Sequence, residues 1–283
     1  MKNTGFFSRI FSHVSSGAST GGYYSSMNKA LMRLNNEYTM LHYPFYGSES
    51  DSFLDAQANL TDYCLSLLPD LGGKALLEVG CGNGVQAIYI LEKFAPGEIK
   101  GIDLNQGNID IARDEAEKKG LDRISFQVDD AHALSTVEDN SVDVVINIES
   151  AFHYPDKPAF LSQVHRVLKP GGAFVIADIL VRKDKSDSKN GSWRNKMSYH
   201  HWPMSSYETE FQLKNFKMES TRDITPEVIR GFRSYRRWLR DMQKIRFVED
   251  LLMKLYYTIH TRLNIYLLRT SRRYCVFVGS KAL

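Results

Sequence analysis

The stretch Leu76-Leu77-Glu78-Val79-Gly80-Cys81-Gly82-Asn83-Gly84 decides how this chain is read. A short apolar run enters three glycines at alternate positions, and Val85 to Phe94 continues with the spacing of a helix. Glycine at 80, 82 and 84 permits positive φ and lets a ligand approach without meeting a Cβ. The unpaired N–H groups of the following helix face back onto the turn. Strand, glycine turn and helix together make a binding turn. On its own it serves either a nucleotide-like cofactor or a tight connection.

The surroundings narrow that choice. Gly101-Ile102-Asp103-Leu104-Asn105 closes a second apolar run, placing an acid at a strand tip 25 positions after Glu78. In an open parallel sheet such an acid faces the first glycine turn, where it accepts the two ribose hydroxyls. The dinucleotide fingerprint spaces its glycines Gly-x-Gly-x-x-Gly around a pyrophosphate, whereas here the spacing is Gly-x-Gly-x-Gly. Glu78, inside the first strand, repels phosphate and attracts an amine or a sulfonium. These residues predict a cationic ligand with a ribose and no phosphate.

At this point the chain resembles the class I S-adenosylmethionine-dependent methyltransferases, over roughly residues 50–180. The first motif of that family matches Glu78 to Gly84 and the second Asp103. The third matches Asp130-Ala131 behind Ile124 to Val128. The fourth matches Val144 to Ile148 and the residues after it, and the fifth Arg166 to Gly172 leading into Ala173 to Ala177. The resemblance implies S-adenosylmethionine as cofactor, held by Glu78, Gly80, Gly82, Gly84, Asp103, Leu104, Asp130, Ala131 and Asn147. It also implies an α/β fold, a Rossmann-like doubly wound seven-stranded sheet with a helical C-terminal lid inserted before the last strand.

Alternating patterns along the chain agree with that fold class. Helices are predicted at 51–68, 84–94, 107–119 and 156–168, and strands at 74–79, 99–104, 124–129, 142–148 and 173–180. Beyond a polar stretch at 182–190, Glu208 to Phe216 reads as a helix, and 217–223 and 274–280 are the candidate closing strands. Residues 226–265 between them read as one long helical region. The expected organisation is a segment at 1–50 covering the active site, a cofactor-binding core at 51–180, and a basic helical region at 181–283.

Composition is that of a globular protein. Of 283 residues, 43% are hydrophobic, and no apolar run approaches the ~20 residues needed to span a bilayer. Cys64, Cys81 and Cys275 show neither paired nor metal-ligand spacing, so a reducing, cytoplasmic setting and no metal are expected. Phe6, Phe7, Ile10 and Phe11 lie too interrupted for a signal peptide. They frame either a tail or a short surface helix. The net charge of +3 conceals an asymmetry. Residues 1–180 hold 14 lysines and arginines against 23 acids, and residues 181–283 hold 22 against 10.

The chemistry is expected after the fourth strand, in Ile148-Glu149-Ser150-Ala151-Phe152-His153-Tyr154-Pro155. A strand ending at Ile148 delivers Glu149 and His153 to the reactive edge of the sheet. Histidine takes a proton from a hydroxyl near neutral pH, and a carboxylate beside it orients the ring or balances developing positive charge. Alternatively, His153 lines the pocket or caps the next helix, and Glu149 makes a structural contact. The run Asn147 to Pro155, with Leu104 to Gln106 and Tyr274 to Phe277, resembles the branch that methylates polyketide and glycolipid hydroxyls. Within that branch it is similar to the phthiotriol and phenolphthiocerol dimycocerosate O-methyltransferases, with sterol C-methyltransferases more distant. Nucleic acid is disfavoured, because nothing matches the motif of base amino-group methylation.

The resemblance also implies that Tyr38, His42 and Tyr46 wall the acceptor pocket, where rings suit a sulfonium, and His42 is an alternative candidate for the base. Tyr23 and Tyr24 either reach the donor's carboxylate or belong to a surface helix, and His200 and Trp202 would line the entrance. Arg230, Arg233, Arg237, Arg240 and Lys244 share one helical face within 230–246, opposite Phe232, Tyr235, Leu239 and Met242. Such a helix suits an anionic membrane, a phosphate-bearing acceptor, or the acidic core of its own protein. The expected activity is O-methylation of a large apolar small molecule or lipid. C-methylation of a sterol or isoprenoid alkene is the alternative, and a non-catalytic binding protein the third. Acceptor and oligomeric state are not legible.

Overall fold

The computed structural model describes residues 20–182, 199–241 and 248–283. The readings of Met1 to Ser16, of the polar stretch beyond Arg182, and of Met242 and Lys244 fall outside those residues. The described chain begins with helix α1 (Thr20–Asn35) and α2 (Phe53–Ser66). Then follow β1 (Ala75–Val79), α3 (Val85–Phe94), β2 (Glu98–Asp103), α4 (Gln106–Lys118), β3 (Ile124–Val128), β4 (Val142–Ile148), a 3-10 turn at Ala151–His153, and α5 (Lys157–Val167). Strand β5 (Leu168–Val181) leads to α6 (Met204–Leu213), β6 (Phe216–Asp223), α7 (Thr225–Asp241), α8 (Val248–Thr270) and β7 (Arg272–Lys281).

The seven strands form one sheet in the order β3-β2-β1-β4-β5-β7-β6. Strands β1 to β5 run parallel to their neighbours, and β7 lies antiparallel between β5 and β6. Their sequences explain the burial: Leu76, Leu77, Val144, Val145, Phe174 and Val175 face both covered sides and are almost wholly excluded from water. Near-continuous apolar runs of this kind are what a parallel sheet covered on both faces requires. The order reverses between β1 and β4, which opens a crevice beyond their carboxyl ends. The functional residues gather there.

Local chemistry sets the helix starts. Ser52 and Asp55 form a reciprocal capping box at α2, and Asp156 caps α5 ahead of Pro158. The predicted single helix over 226–265 is instead two, α7 and α8. Their contact buries Tyr257 and Leu239 against Leu31 of α1 and Phe53 of α2. Helix α6 starts and ends earlier than its pattern suggested, since Phe216 opens β6 and is buried against Phe174 and Phe211. Helix α1 was foreseen only as the alternative reading of Tyr23 and Tyr24. Asn28 fastens it to the core, with its Nδ2 donating to Asn108 at 3.0 Å and its Oδ1 accepting from Asn83 at 2.9 Å.

Candidate active site

A cavity of about 770 Å³ opens at the crevice, within the ~300–1,000 Å³ range of small-molecule sites. Its first wall is the glycine turn. Gly80, Gly82 and Gly84 have φ of 75°, 55° and 78°, a region L side chains avoid. The turn is pinned to β2, because Gly80 and Cys81 donate N–H to the Ile102 carbonyl at 2.8 and 2.9 Å. A Cβ on Gly80 would stand 2.4 Å from the Ser150 side chain. At Gly84 it would strike Ala112 of α4 at 2.5 Å, and Gly84 does not border the cavity. Its glycine serves helix packing rather than ligand approach.

Glu78 lies beneath the turn, 2% exposed. Its Oε1 accepts from Gln86 Nε2 at 2.7 Å, while its buried Oε2 has no protein partner. Burial pushes its carboxyl up to about 8, against the pull of Gln86 and with help from Asp103. Asp103 reaches back to the turn, accepting from Gly82 N–H at 3.0 Å with Oδ2 and from Asn105 N–H at 2.8 Å with Oδ1. Burial raises its pKa too, against those hydrogen bonds. Two carboxyls held in little water at one cavity wall favour a cation.

Asp130, Ala131 and the largely exposed Leu104 border the same cavity. Asp130 accepts from the His132 backbone N–H at 2.9 Å, and its Oδ1 lies 2.6 Å from His132 Nδ1. Its neighbour Asp129 is structural. Burial opposes its charge, but hydrogen bonds from Thr136, Ser135 and Asp130 prevail and hold its carboxyl below the usual range.

The second wall is the segment after β4. Glu149 has φ of 54°, a strained conformation for a non-glycine residue that costs on the order of 1–3 kcal/mol. Its N–H donates to the Ala177 carbonyl at 2.9 Å, and its Oε1 accepts from Tyr43 N–H at 2.5 Å. Burial raises Glu149 to about 8, against the Tyr43 N–H. His153 stands on the 3-10 turn with Nε2 2.9 Å from the Tyr24 hydroxyl of α1. Tyr199 stacks on the imidazole at 5.3 Å and Phe152 packs beside it at 4.3 Å. The cavity borders on Glu149, His153, Tyr24 and His200 together.

Several expected residues stand elsewhere. Asn147 does not border the cavity: it is fully buried, donating to the Val79 carbonyl at 2.9 Å and Ser150 Oγ at 2.6 Å. It positions the loop that carries Glu149. Tyr38 lies off the cavity. Tyr46 stacks under the Arg230 guanidinium at 4.9 Å on the outer surface. Trp202 packs edge-on against Tyr207, and no part of it borders the cavity. His42 does border it, but its ring is 3.0 Å from the Tyr43 carbonyl and 3.3 Å from Thr61 Oγ1, and burial lowers its pKa to about 4. A ring so engaged is a neutral wall residue. Tyr23's side chain lies outside the described residues.

The basic face of α7 is partly used within the molecule. Arg230 pairs with Glu227 at 2.8 Å and Arg233 with Glu49 at 3.5 Å, and Arg237 donates to the carbonyls of Glu49 and Asp51. Among the described residues, no group of three or more His, Cys, Asp or Glu is placed to hold a metal.

Other site residues escaped the sequence reading. Lys157 is wholly buried, donating to the Ala151 carbonyl at 2.5 Å and the His200 carbonyl at 2.7 Å, with Asp178 at 3.6 Å. Asp178 in turn accepts from the Tyr207 hydroxyl at 2.6 Å. Lys157 thus ties together the turn bearing His153, the 200 loop and β5. The Tyr24 and His153 pairing spans 129 positions. Only Gln86, one turn past the glycines, carried a local signal.

The residues fit S-adenosylmethionine on this geometry: an unpartnered buried carboxylate oxygen at Glu78, a second acid at the β2 tip, and a glycine turn open to close approach. Comparison with known proteins agrees. The family described as "Methyltransferase domain" matches residues 71–231. The phthiotriol/phenolphthiotriol dimycocerosates methyltransferase of Mycobacterium leprae is 35% identical over 61% of this chain and 56% of its own length. The 27-O-demethylrifamycin SV methyltransferase of Amycolatopsis mediterranei is 36% identical over 50% of this chain and 52% of its own. The chain thus spans little more than half the length of these two relatives. Among solved structures, the cyclase SpnF superposes with a TM-score of 0.75 at 19% identity, covering 94% of this chain and 98% of its own. That likeness is one of fold.

Proposed function

This chain belongs to the S-adenosylmethionine-dependent methyltransferase family, and on that premise we propose that it methylates a hydroxyl oxygen of a large apolar acceptor of polyketide, lipid or glycolipid type. One observation carries the reading: a single cavity is bordered both by the cation-favouring wall of Glu78 and Asp103 and by the acid–base wall of Glu149 and His153. The names of the two curated relatives support the acceptor class. The donor, when bound, supplies an electrophilic methyl on a sulfonium. Glu78, Gly80, Gly82, Asp103, Leu104, Asp130 and Ala131 would hold it.

The chain's own residues account for the rest. Burial, with the charges of Tyr199, Glu149 and Asp103, holds the Tyr24 phenol well above its ordinary pKa, so Tyr24 stays neutral. Its hydroxyl and His153 Nε2 therefore share one hydrogen, donated by either partner according to the tautomer. An acceptor hydroxyl entering between them hands its proton to the imidazole. Tyr24, Tyr199 and Phe152 fix the ring and keep water away. Glu149, with a pKa near 8, alternates between forms around neutrality and offsets the imidazolium charge. Alignment of the reacting atoms provides much of the rate.

Glu149 also favours a second reading. A carboxylate at the cavity edge, held by the Tyr43 N–H, suits a carbocation, as C-methylation of an alkene would require. In either case an apolar acceptor would be met at a membrane surface, where apolar molecules gather.

The test is product analysis with isotope-labelled methyl donor and an apolar lipid extract. Label on oxygen supports the proposal; label on carbon replaces it with the second reading. His153→Ala is expected to lower turnover by ~10²–10³-fold while donor affinity changes little. Undiminished turnover excludes His153 as the base.

A further inference from the structure

Helix α8 carries apolar residues on its outward side as well as on its inward side. Its inward side buries Tyr257, Thr261, Asn264 and Leu268. Its outward side carries Leu251, Leu255, Ile259 and Leu263, one every fourth residue, followed by Tyr266. Each of these five is at least half exposed, and their spacing sets them in one stripe. A contiguous apolar stripe on an outer face marks a contact surface.

Beside the stripe, a cleft of about 400 Å³ runs between α7 and α8, bordered by Arg230, Arg233, Arg236, Arg262, Arg269 and Tyr266. Arg230 and Arg233 have carboxylate partners in Glu227 and Glu49. Among the described residues, Arg236, Arg262 and Arg269 have none. Guanidinium groups crowded without counter-charge repel one another. Their planar forks match phosphate oxygens.

We propose that this face docks on an anionic phospholipid bilayer, with the α8 stripe seated at the acyl boundary and the cleft arginines taking headgroup phosphates. Charge complementarity favours this occupant. A second copy of the chain brings the same arginines to the contact, because a two-fold interface sets a patch against itself. The placement has a purpose. Tyr257 joins α8 to α1, α2 and α7, and α1 supplies Tyr24 to the cavity, so the bilayer lies against a helix packed on the one that reaches the site. Only this purpose rests on the apolar acceptor proposed above; docking and methyl transfer are measured separately.

The experiment is flotation of the purified protein with phosphatidylcholine vesicles, with and without phosphatidylglycerol. The protein is expected to float with the anionic vesicles, to stay behind with the neutral ones, and to be released by salt. Replacing Arg236, Arg262 and Arg269 together by Gln is expected to weaken partition by ~100-fold. Leu255→Gln with Ile259→Gln and Leu263→Gln abolishes it. Calorimetric binding of S-adenosylmethionine, retained in both variants, shows that the fold is intact. The arginine variant, altered only at exposed positions, keeps the test valid should the stripe variant fail to fold. No flotation, equal flotation with both vesicles, or a dimer that the stripe substitutions dissociate would overturn the proposal.

Discussion

At Glu78 and Glu149 burial outweighs every local hydrogen bond, and both carboxyls are raised to about 8. In the unfolded chain they titrate near ~4.3. The folded state therefore keeps protons that the unfolded state loses in the window between those values, and unfolding releases them. Stability attributable to these groups is complete below ~4.3 and falls as pH rises through about 8. Urea unfolding of the donor-free protein is expected to show midpoints declining from pH 5 to pH 9, and Glu149→Gln should flatten that decline. A slope unchanged by the substitution would mean that Glu149 is not buried as the geometry has it.

Lys157 makes the converse case, a buried cation beside a buried acid. Lys157→Met removes the donor to Ala151 and His200 and leaves the Asp178 carboxylate with only Tyr207 and the Ile179 N–H. The expected loss is about 3–5 kcal/mol in chemical denaturation, as when one partner of a buried pair is removed. Lys157→Met with Asp178→Asn should recover most of it. No recovery would show that the lysine's contacts to the turn, rather than its charge partner, carry the effect.

At the scale of elements, the strand–glycine turn–helix unit was legible because everything it needs is local. Gly80 at positive φ, the apolar strand before it and the helix after it lie within 19 residues, 76–94. Gly80→Ala sets a Cβ 2.4 Å from Ser150 in a conformation alanine resists. It should weaken donor binding at least ~10-fold and lower stability by ~1–3 kcal/mol, read together by calorimetry and unfolding. Retention of both would remove the turn from the site.

The β4 exit was legible only in outline. The sequence placed Glu149 and His153 after the strand, but Gly21-Gly22 and Ser25-Ser26 are poor helix formers in α1, and its contact to His153 closes over 129 positions. For the same reason Tyr38, Tyr46 and Trp202 were expected on the cavity. Aromatic content reports that a side chain is packed, not which cavity it faces. Asn147 and Gly84 belong to the right motifs, yet they stand one layer behind the surface they were expected to form. Lys157 gave no sign, since a lysine just after a helix cap ordinarily reads as solvated.

Across the molecule, the acidic and basic halves of the chain are not two bodies. The basic half contributes β6 and β7 to the common sheet and His200 to the cavity, and its helices α7 and α8 pack on α1 and α2 of the acidic half. Alternating patterns predicted the sheet well, because parallel strands buried on both faces leave strong apolar runs. The lid was less legible, since α7 and α8 owe their positions to contacts with α1 and α2 far away in sequence. No described helix is long and apolar enough to cross a membrane.

The central claim is that this cavity holds a sulfonium donor against Glu78, and its most direct test is calorimetric titration of S-adenosylmethionine into the protein at pH 7 in buffers of different ionisation enthalpy. With Glu78 near 8 when free, a cation beside it favours the charged form, so binding should occur at one site with release of up to one proton. Glu78→Gln should weaken binding at least ~10-fold and abolish that release. Binding without proton release, and unaltered in Glu78→Gln, would contradict the claim.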